Sequence, residues 1–285
     1  MTDPVVTVVC VVYHPGAELS RFVDTLAAAS VRRVELVVVD NGDDQSLSRP
    51  ACAAGGGRLL VTGANLGYGR AANLGAAGSG APWLVVANSD IEWYPGSLDE
   101  LIDAGDRMPA AGSLGPQVRS PDGTVYPSAR ALPSLTQGAG HALLARVWPT
   151  NPWTRAYQRS HEDTGRQRAA GWLSGSCLLL RRAAFEQVGG FDERYFMFFE
   201  DVDLGDRLGR AGWTNVYVPT ARVTHVGGTS WRSSPAPMIR AHHASAKRYL
   251  FGRYPRWYAA PVRVALGLGL ALRERLQVRV AARNR

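Results

Sequence analysis

Four short aliphatic runs that end in polar residues constrain the fold of this chain more than any other feature. They occupy residues 5–12, 35–39, 59–62 and 83–87. Runs of this length that are rich in valine and leucine are typical of strands buried on both faces. Helical patterns lie between them, the clearest at residues 19–29. The alternation predicts a doubly wound α/β fold, with a mostly parallel sheet flanked by helices and ligands bound beyond the carboxyl ends of the strands.

The composition changes twice along the chain and divides it into three parts. Residues 1–111 contain the strand and helix alternation, whereas residues 112–234 are rich in glycine, proline and arginine. Residues 235–285 form a basic, aromatic segment that we expect to be helical. The Pro235-Ala236-Pro237 stretch is interpreted as a linker into this tail.

The net charge of +8 resides in the tail. Residues 1–239 contain 21 arginines and 23 acidic residues, whereas residues 240–285 contain 11 lysines and arginines and only Glu274 as an acid. The acidic balance of the larger part argues against nucleic acid as a partner. The apolar run at residues 264–272 is shorter than the roughly 20 residues that span a bilayer. We therefore expect an interfacial helix on anionic lipid, with packing against the core as the alternative.

Cysteine usage and the N-terminus bear on the compartment. Cys10, Cys52 and Cys177 are too few and too scattered for a disulfide framework, and no pair has the spacing of a zinc site. The first residues lack the basic start and cleavage site of a signal peptide. These features predict a cytoplasmic protein. The sequence leaves the oligomeric state open, a homo-oligomer included.

Polar residues after the predicted strands are the first candidates for a binding site. Asp40 can accept hydrogen bonds from a base or a ribose, or it can simply close an Asp-Asn-Gly turn. Asp90, which ends an Asn-Ser-Asp sequence, is an oxygen ligand suited to Mg²⁺ or Mn²⁺, or a turn cap. Residues 65–73 place two glycines at a helix start, where backbone N–H groups can approach an anion. Asp40, Asn65 and Asp90 lie on one rim of the predicted sheet, which favours a shared site.

A second group of acids follows an aromatic block near residue 200. An ionised Asp201 at the start of the predicted helix can remove a proton from an attacking hydroxyl, because the helix N-terminus favours its charged form. The alternative is ordinary helix capping, with Asp203 and Arg207 as a plain i,i+4 ion pair.

Histidines are the remaining candidates. His225 follows a strand-like segment and can complete a metal site with Asp90, although a lone histidine is more often structural. His242 and His243 have no acidic residue nearby in the sequence and are interpreted as part of a solvated face.

Taken together and in this order, the motifs resemble glycosyltransferase family 2 over about residues 4–230. Within that family, the Leu-Gly-Pro, Tyr-Pro-Ser-Ala-Arg and Gly-Gly-Phe-Asp-Glu-Arg-Tyr-Phe-Met stretches are similar to the rhamnosyltransferases that build the linker between peptidoglycan and arabinogalactan. The motifs that carry the resemblance are Asp40, Asn-Leu-Gly-Tyr-Gly at residues 65–69, Asn88-Ser89-Asp90, Gly-Trp-Leu-Ser-Gly-Ser at 171–176, Phe-Glu-Asp-Val-Asp at 199–203, and the three stretches at 114–116, 126–130 and 189–197.

The resemblance implies a GT-A fold and a metal-dependent inverting transfer. The implied donor is dTDP-L-rhamnose, the acceptor is the 3-hydroxyl of polyprenyl-diphosphate-linked GlcNAc, and the cofactor is Mn²⁺ or Mg²⁺. Residues 1–111 would form the nucleotide-sugar half of the domain, and residues 112–234 would form the acceptor half. The protein as a whole would lie on the inner face of the plasma membrane. A family member that uses another nucleotide sugar, or a non-catalytic basic protein that binds membranes or nucleic acid, remains an alternative.

The resemblance also implies roles for single residues. Asp201, together with Glu200, would be catalytic, and Asp90 with His225 would hold the metal. One departure from the family pattern is Asn88, which stands where an Asp-x-Asp motif has its first carboxylate. The donor-binding residues are expected to be Tyr13, Asp40, Asn65, Gly67, Tyr68, Gly69, Asn73, Asn88 and Ser89, and the acceptor-binding residues Trp172, Ser174, Gly175 and Ser176.

Overall fold

The first half of the chain forms the predicted parallel sheet. The computed structural model describes residues 3–133, 165–227 and 235–283. Four parallel strands lie in the order β3-β2-β1-β4. Their elements are β1 (Val6–Val12), α1 (Glu18–Ala29), β2 (Val34–Asp40), α2 (Ser48–Ala54), β3 (Arg58–Val61), α3 (Tyr68–Ala76) and β4 (Trp83–Asn88).

The second half extends this sheet with strands of both directions. Its elements are β5 (Ile91–Trp93), α4 (Ser97–Arg107), β6 (Ala111–Arg119), β7 (Val125–Tyr126), β8 (Ala129–Arg130), β9 (Arg168–Ala170), β10 (Trp172–Leu173), β11 (Cys177–Arg181), α5 (Arg182–Gln187), α6 (Glu200–Arg210), β12 (Thr214–His225), α7 (Pro235–Arg253), a 3₁₀ turn (Trp257–Ala259) and α8 (Ala260–Arg283). Beyond β4 the order is β11-β6-β12-β5, in which β11 and β5 run antiparallel to their neighbours. The sheet is therefore mixed, with its parallel part as predicted.

Both faces of the sheet are buried, which explains why the strands read as continuous aliphatic runs. In β4, Trp83 and Val85 point into one core with α1 and α4, whereas Leu84 and Val86 point into the other with α3, α5 and α6. Successive side chains of a strand alternate between faces, so each face requires its own apolar residues.

Strand register brings the polar strand ends together. Val12 at the end of β1 pairs with Asp40 on one side, and Val11 pairs with Asn88 on the other. On the far part of the sheet, His225 pairs with Ile91, so it lies next to Asp90. The parallel topology thus places three segments distant in sequence on a single rim.

The tail begins with a helix that is docked on the domain. Ser245 Oγ of α7 donates to the carbonyl oxygen of Met197 at 2.8 Å, and Arg253 Nη1 donates to buried Asp206 at 2.8 Å. The interpretation of Pro235-Ala236-Pro237 as a linker is wrong, because these residues form the first turn of α7. Proline is accepted there since first-turn N–H groups have no partner within the helix.

The last helix differs from the other described helices because none of its residues is buried. Leu268 and Leu272 are 69% and 61% exposed. Gly267 is its point of approach to α7, where an added Cβ would lie 3.4 Å from Phe251 Cζ. No helix in the described ranges is long and apolar enough to cross a bilayer.

Two helical glycines give a matched test of the packing of α3 on the sheet. An added Cβ at Gly75 would lie 2.4 Å from Val9 Cγ1 and 2.8 Å from Val39 Cγ2, whereas one at Gly209 meets nothing within 4 Å. We expect Gly75→Ala to lower the free energy of unfolding by about 1–3 kcal/mol through overpacking. Gly209→Ala should raise it by up to about 1 kcal/mol, because alanine favours the helix. Chemical denaturation measures both, and equal effects would contradict the close approach of α3.

Candidate active site

A cavity of about 630 Å³ opens at the polar rim of the sheet. Its walls come from the end of β4, from β8 and β10, from the start of α6 and from α7. The predicted residues that line it are Tyr68, Asn88, Trp172, Ser174, Gly175, Ser176, Glu200, Asp201 and His225. The structure therefore brings together both catalytic candidates, all four acceptor candidates, two donor candidates and one metal candidate.

Two backbone amides hold the carboxylate of Asp201. The N–H of Gly175 donates to Oδ2 at 2.8 Å, and the N–H of Val202 donates to Oδ1 at 2.8 Å. Burial raises the pKa of Asp201, while these N–H groups and then the charge of Arg130 offset part of the rise. Hydrogen bonds to both oxygens stabilise the ionised form and fix its direction, as a general base requires.

Glu200 lies next to Asp201 in a less polar setting. Its side chain is 7% exposed, and within the described chain Oε2 has no hydrogen-bond partner. Burial, and then the charge of Asp201, raise the pKa of Glu200 well above its usual value. Two adjacent carboxyl groups in one site cannot both ionise freely, so the less solvated one retains its proton. Glu200, whose Oε2 has no described hydrogen-bond partner, is therefore harder to ionise than Asp201, whose two oxygens each accept an N–H group.

A strained turn presents the two acids to the cavity. Phe198 and Phe199 have φ values of 65° and 66°. Two consecutive aromatic residues in the left-handed region are unusual and must be held there by surrounding contacts. One such contact comes from the loop before α3, where the N–H of Tyr68 donates to the carbonyl oxygen of Phe196 at 3.0 Å.

Gly67 allows that contact. Its φ is 84°, and an added Cβ would lie 2.2 Å from the carbonyl oxygen of Phe196. No other residue type fits this position without moving the Phe196 backbone. The glycine of the Asn-Leu-Gly-Tyr-Gly motif therefore joins the predicted donor loop to the catalytic turn.

Tyr68 links the same loop to the acceptor wall. Its hydroxyl donates to the carbonyl oxygen of Gly175 at 2.5 Å, and burial followed by the charge of Glu200 raises the pKa of Tyr68. Ser176 accepts a bond from the N–H of Asn88 at 2.9 Å through its carbonyl oxygen. Residues 174–176 thus connect the end of β4 with Asp201.

Asp90 and His225 form a contact pair at the rim. Asp90 Oδ1 lies 3.0 Å from His225 Nε2, and Oδ2 accepts from the N–H of Gly227 at 2.9 Å. Burial acts to raise the pKa of Asp90, but the bond and charge of His225 and the Gly227 N–H outweigh it, so the pKa lies below its usual value. Asn88 Nδ2 lies 3.2 Å from the same His225 nitrogen.

The pair offers a carboxylate oxygen and an imidazole nitrogen, donor types that proteins use to bind divalent ions, and the two atoms lie in hydrogen-bond contact with each other. Within residues 3–133, 165–227 and 235–283, no cluster of three or more His, Cys, Asp or Glu side chains can hold a metal. Mg²⁺ commonly takes one or two protein ligands and completes its shell with substrate phosphates and water.

Other predicted donor residues lie outside the cavity lining. Asp40 is fully buried, with Oδ1 accepting from the N–H of Gly42 at 2.7 Å and Oδ2 accepting from the hydroxyl of Ser48. Asn73 bonds the backbone of Phe191 in both directions, at 2.9 Å each. Both side chains have structural partners, so nucleotide contacts by them stay predictions.

The remaining donor candidates belong to the loops around this rim. Asn65 Oδ1 accepts from the N–H of Gly67 at 3.0 Å. Gly69 packs against Phe191, and an added Cβ at Gly69 would lie 3.0 Å from Phe191 Cβ. Tyr13 is 47% exposed, and Ser89 is half-buried.

Arg130 is a functional candidate that the sequence did not single out by itself. Its guanidinium lines the cavity, 5.1 Å from the Tyr126 ring and 5.5 Å from the Trp172 ring, while Nε donates to the carbonyl oxygen of Pro127 at 2.7 Å. It shares the cavity with Asp201, and its charge acts to lower the pKa of that carboxyl group. The Tyr-Pro-Ser-Ala-Arg motif was visible, but only the pairing of β8 with β10 brings it to the site.

The two neighbouring histidines have different environments. His242 is exposed and lines the cavity, with its ring 5.6 Å from the rings of Phe198 and Phe199. His243 is 4% exposed, and its Nδ1 lies 2.8 Å from the carbonyl oxygen of Ile239. The interpretation of the pair as a solvated face is wrong for His243, because α7 packs that side against the domain.

The predicted ion pair of Asp203 with Arg207 is confirmed at 2.6 Å.

Known proteins resemble this chain in sequence and in architecture. Residues 4–244 match the family described as "Glycosyltransferase like family 2". Over 296 aligned positions the chain is 51% identical to the N-acetylglucosaminyl-diphospho-decaprenol L-rhamnosyltransferase of Mycobacterium tuberculosis H37Rv. The alignment covers 100% of this chain and 96% of that protein.

Two solved structures share the fold at low identity. The mannosyltransferase PcManGT from Pyrobaculum calidifontis, in complex with GDP-Man and Mn²⁺, superimposes with a TM-score of 0.59 at 17% identity, covering 99% of this chain and 74% of that one. GalNAc-T7 with UDP, GalNAc and Mn²⁺ gives a TM-score of 0.57 at 14% identity, covering 78% and 43%. The family match, the full-length relative and the shared architecture agree, and the chain belongs to glycosyltransferase family 2, with a GT-A fold.

Proposed function

We propose that this protein transfers L-rhamnose from dTDP-L-rhamnose to the 3-hydroxyl of GlcNAc in N-acetylglucosaminyl-diphospho-decaprenol. The product would be the linker between peptidoglycan and arabinogalactan. The full-length identity to a protein named for this reaction supports the choice of substrates. The observation that carries the proposal is that Asp201 and His225 line one cavity and that His225 contacts Asp90.

Asp201 is the proposed general base. Its carboxylate accepts the proton of the GlcNAc 3-hydroxyl while that oxygen forms a bond to the anomeric carbon of rhamnose. The bond between the anomeric carbon and the diphosphate oxygen breaks, and the electron pair leaves with dTDP. A single displacement of this kind inverts the anomeric configuration. The two N–H groups that hold Asp201 keep the accepting oxygens in a fixed direction during the transfer.

Glu200 is proposed to assist Asp201 as a neutral neighbour. A proton on its buried carboxyl group removes a second negative charge from the site, so the attacking oxygen meets one carboxylate rather than two. The low polarity around Glu200 also raises the basicity of Asp201, which improves proton transfer near neutral pH.

Asp90 and His225 are the proposed ligands of a Mn²⁺ or Mg²⁺ ion. When bound, the ion supplies positive charge to the leaving diphosphate. The carboxylate of Asp90 is oriented for this role by the N–H of Gly227, and His225 is steadied by Asn88. Asn88 contributes no charge, so the protein offers one carboxylate to the metal.

Arg130 and the loop at residues 174–176 are proposed to receive the acceptor. The guanidinium lies against Tyr126 and Trp172, so its charge faces the cavity with a fixed orientation. Its donors suit the diphosphate that links GlcNAc to the lipid. Ser174 and Ser176, whose hydroxyls are 3.1 Å apart, offer donors and acceptors to the sugar.

The tail is proposed to hold the protein on the inner face of the plasma membrane, where a lipid-linked acceptor resides. The exposed apolar residues of α8 follow one another at intervals of four, and arginines lie between them. These side chains give α8 apolar groups for the hydrocarbon edge of a membrane and arginines for its anionic headgroups.

A transfer assay tests the proposal directly. Labelled rhamnose from dTDP-L-rhamnose should appear on a short-chain GlcNAc-diphospho-polyprenol with Mn²⁺ or Mg²⁺, and a chelator should abolish the transfer. Asp90→Asn should raise the metal concentration for half-maximal rate by more than about tenfold, since even residues that only support a ligand can have effects of that size. Asp122→Asn, in an exposed turn, is the control and should leave it unchanged. Turnover with only another nucleotide sugar would contradict the choice of donor.

Isosteric amides distinguish the two adjacent acids. Asp201→Asn should lower kcat by about 10²- to 10⁴-fold, the contribution of a positioned base, with donor binding unchanged. Glu200→Gln should lose much less, because an amide replaces a carboxyl group that is already neutral. In the wild-type protein the rate should fall with decreasing pH at a pKa above the ordinary aspartate value of about 3.9. A larger loss in Glu200→Gln than in Asp201→Asn would reverse the assignment.

Vesicle flotation tests the role of α8. Leu268→Asp with Leu272→Asp should weaken binding to vesicles that contain phosphatidylglycerol by about tenfold or more, because two apolar side chains can no longer enter the interface. Leu47→Asp with Leu74→Asp replaces two exposed leucines elsewhere and should have no effect. Equal binding by all three proteins would exclude α8 as the anchor.

A further inference from the structure

A second cavity, of about 580 Å³, lies between α6 and α7. It is separated from the catalytic cavity by a buried cluster in which Tyr195 and Tyr249 face the second cavity and Val202 faces the catalytic one. Both walls therefore belong to helices that also contribute to catalysis. The cations that line it are Arg194, Arg207, Arg210, Lys247, Arg248 and Arg253.

The carboxylates of this cavity are too few to neutralise its cations. Asp192 and Asp203 line it, and Asp206 lies behind Arg210 and Arg253, to which it is hydrogen-bonded. Among the described residues, six cations therefore face three carboxylates. Uncompensated positive charge concentrated in one concave surface attracts an anionic ligand.

The uncompensated charge is located on α7. Lys247 and Arg248 are exposed, and neither has a carboxylate within 4 Å among the described residues. Aromatic rings hold them at the cavity instead, Phe251 at 5.4 Å from Lys247 Nζ and Tyr195 at 6.0 Å from the Arg248 guanidinium. Both charges therefore lie against aromatic rings and have no described carboxylate partner, which leaves them available to an anion.

Arg207, which lines the cavity, has more N–H donors than it has acceptors among the described residues. Arg207 donates through Nε to Asp203 at 2.6 Å and through Nη1 to the carbonyl oxygen of Val188 at 2.7 Å. Its Nη2 is buried and has no partner in the part of the chain that the structure describes. A group with several acceptor oxygens and a negative charge complements the exposed cations of the cavity, and phosphate has both properties.

The surroundings favour a phosphate carried by a lipid. Phe251 lines the cavity and also lies next to Gly267, so α8 passes the cavity edge with its exposed leucines. Trp257, between the two helices, is 84% exposed. A headgroup phosphate in the cavity would therefore have apolar surface beside it for the attached hydrocarbon, and a tryptophan at the level of the interface.

We propose that the cavity between α6 and α7 binds the phosphate of an anionic phospholipid headgroup and thereby seats the domain on the membrane. The contact is distinct from the insertion of α8, because Arg194 and Arg207 belong to the catalytic part of the chain. Its ligand is independent of the sugar that the protein transfers.

Binding to vesicles of phosphatidylcholine, with and without phosphatidylglycerol, tests this site in the full chain. Lys247→Ala with Arg248→Ala should weaken binding to the anionic vesicles by about 30-fold, since each basic residue at the surface contributes about 1 kcal/mol. Arg194→Ala, on the opposite wall and 71% exposed, should weaken it as well. Arg58→Ala with Arg107→Ala removes the same charge from exposed positions elsewhere and should change nothing. All these side chains are exposed, and thermal melting checks that each variant is folded.

Three outcomes would overturn the proposal. An equal loss in the Arg58 and Arg107 control would indicate diffuse attraction of the whole protein. Unchanged binding by both cavity variants, with loss only in the α8 leucine variant, would leave α8 as the sole anchor. Displacement from vesicles by millimolar inorganic phosphate, or binding of duplex DNA that the cavity variants abolish, would identify a soluble anion or a nucleic acid as the ligand instead.

Discussion

The active site depends on one close backbone contact between segments that are about 130 residues apart in sequence. Gly67 has no side chain and a positive φ, so the next residue, Tyr68, can donate its N–H to the carbonyl oxygen of Phe196. That bond helps to hold the strained turn that precedes α6. Without it, the acids at the helix start would have no fixed position relative to the loop before α3.

Further hydrogen bonds connect this contact to the carboxylate of Asp201. Asp201 accepts from the N–H of Gly175, and the carbonyl oxygen of Gly175 accepts from the hydroxyl of Tyr68. The start of α3, residues 174–176 and Asp201 are thus linked by hydrogen bonds, and the chain from Phe196 to Asp201 completes the connection. The donor to Asp201 from this path is a backbone N–H group, which does not change with side-chain rotamers, so it limits the movement of the carboxylate and the reorganisation that proton transfer would require.

Acidic and basic side chains are concentrated in different parts of the protein. The rim of the sheet concentrates carboxylates, which suits a divalent cation and a sugar hydroxyl, whereas α6, α7 and α8 present arginine and lysine on their outer surfaces. Asp206 joins the two regions, because it is buried under α7 and accepts from Arg253 and the hydroxyl of Tyr249. The tail is accordingly part of the folded domain at α7 and separate from its core only at α8.

The sequence by itself determined the parallel half of the sheet, the polar strand ends and the acids at the start of α6. These features arise from local patterns: period, strand length and turn chemistry. Only the tertiary structure decided that Asp40 and Asn73 have buried structural partners, that Arg130 reaches the cavity, and that Pro235-Ala236-Pro237 starts a docked helix. Those facts depend on contacts between segments that are far apart in the chain, and a single sequence does not show which distant segments are in contact. The raised pKa of Glu200 could not be predicted for the same reason, because burial is a property of the fold and not of the residue.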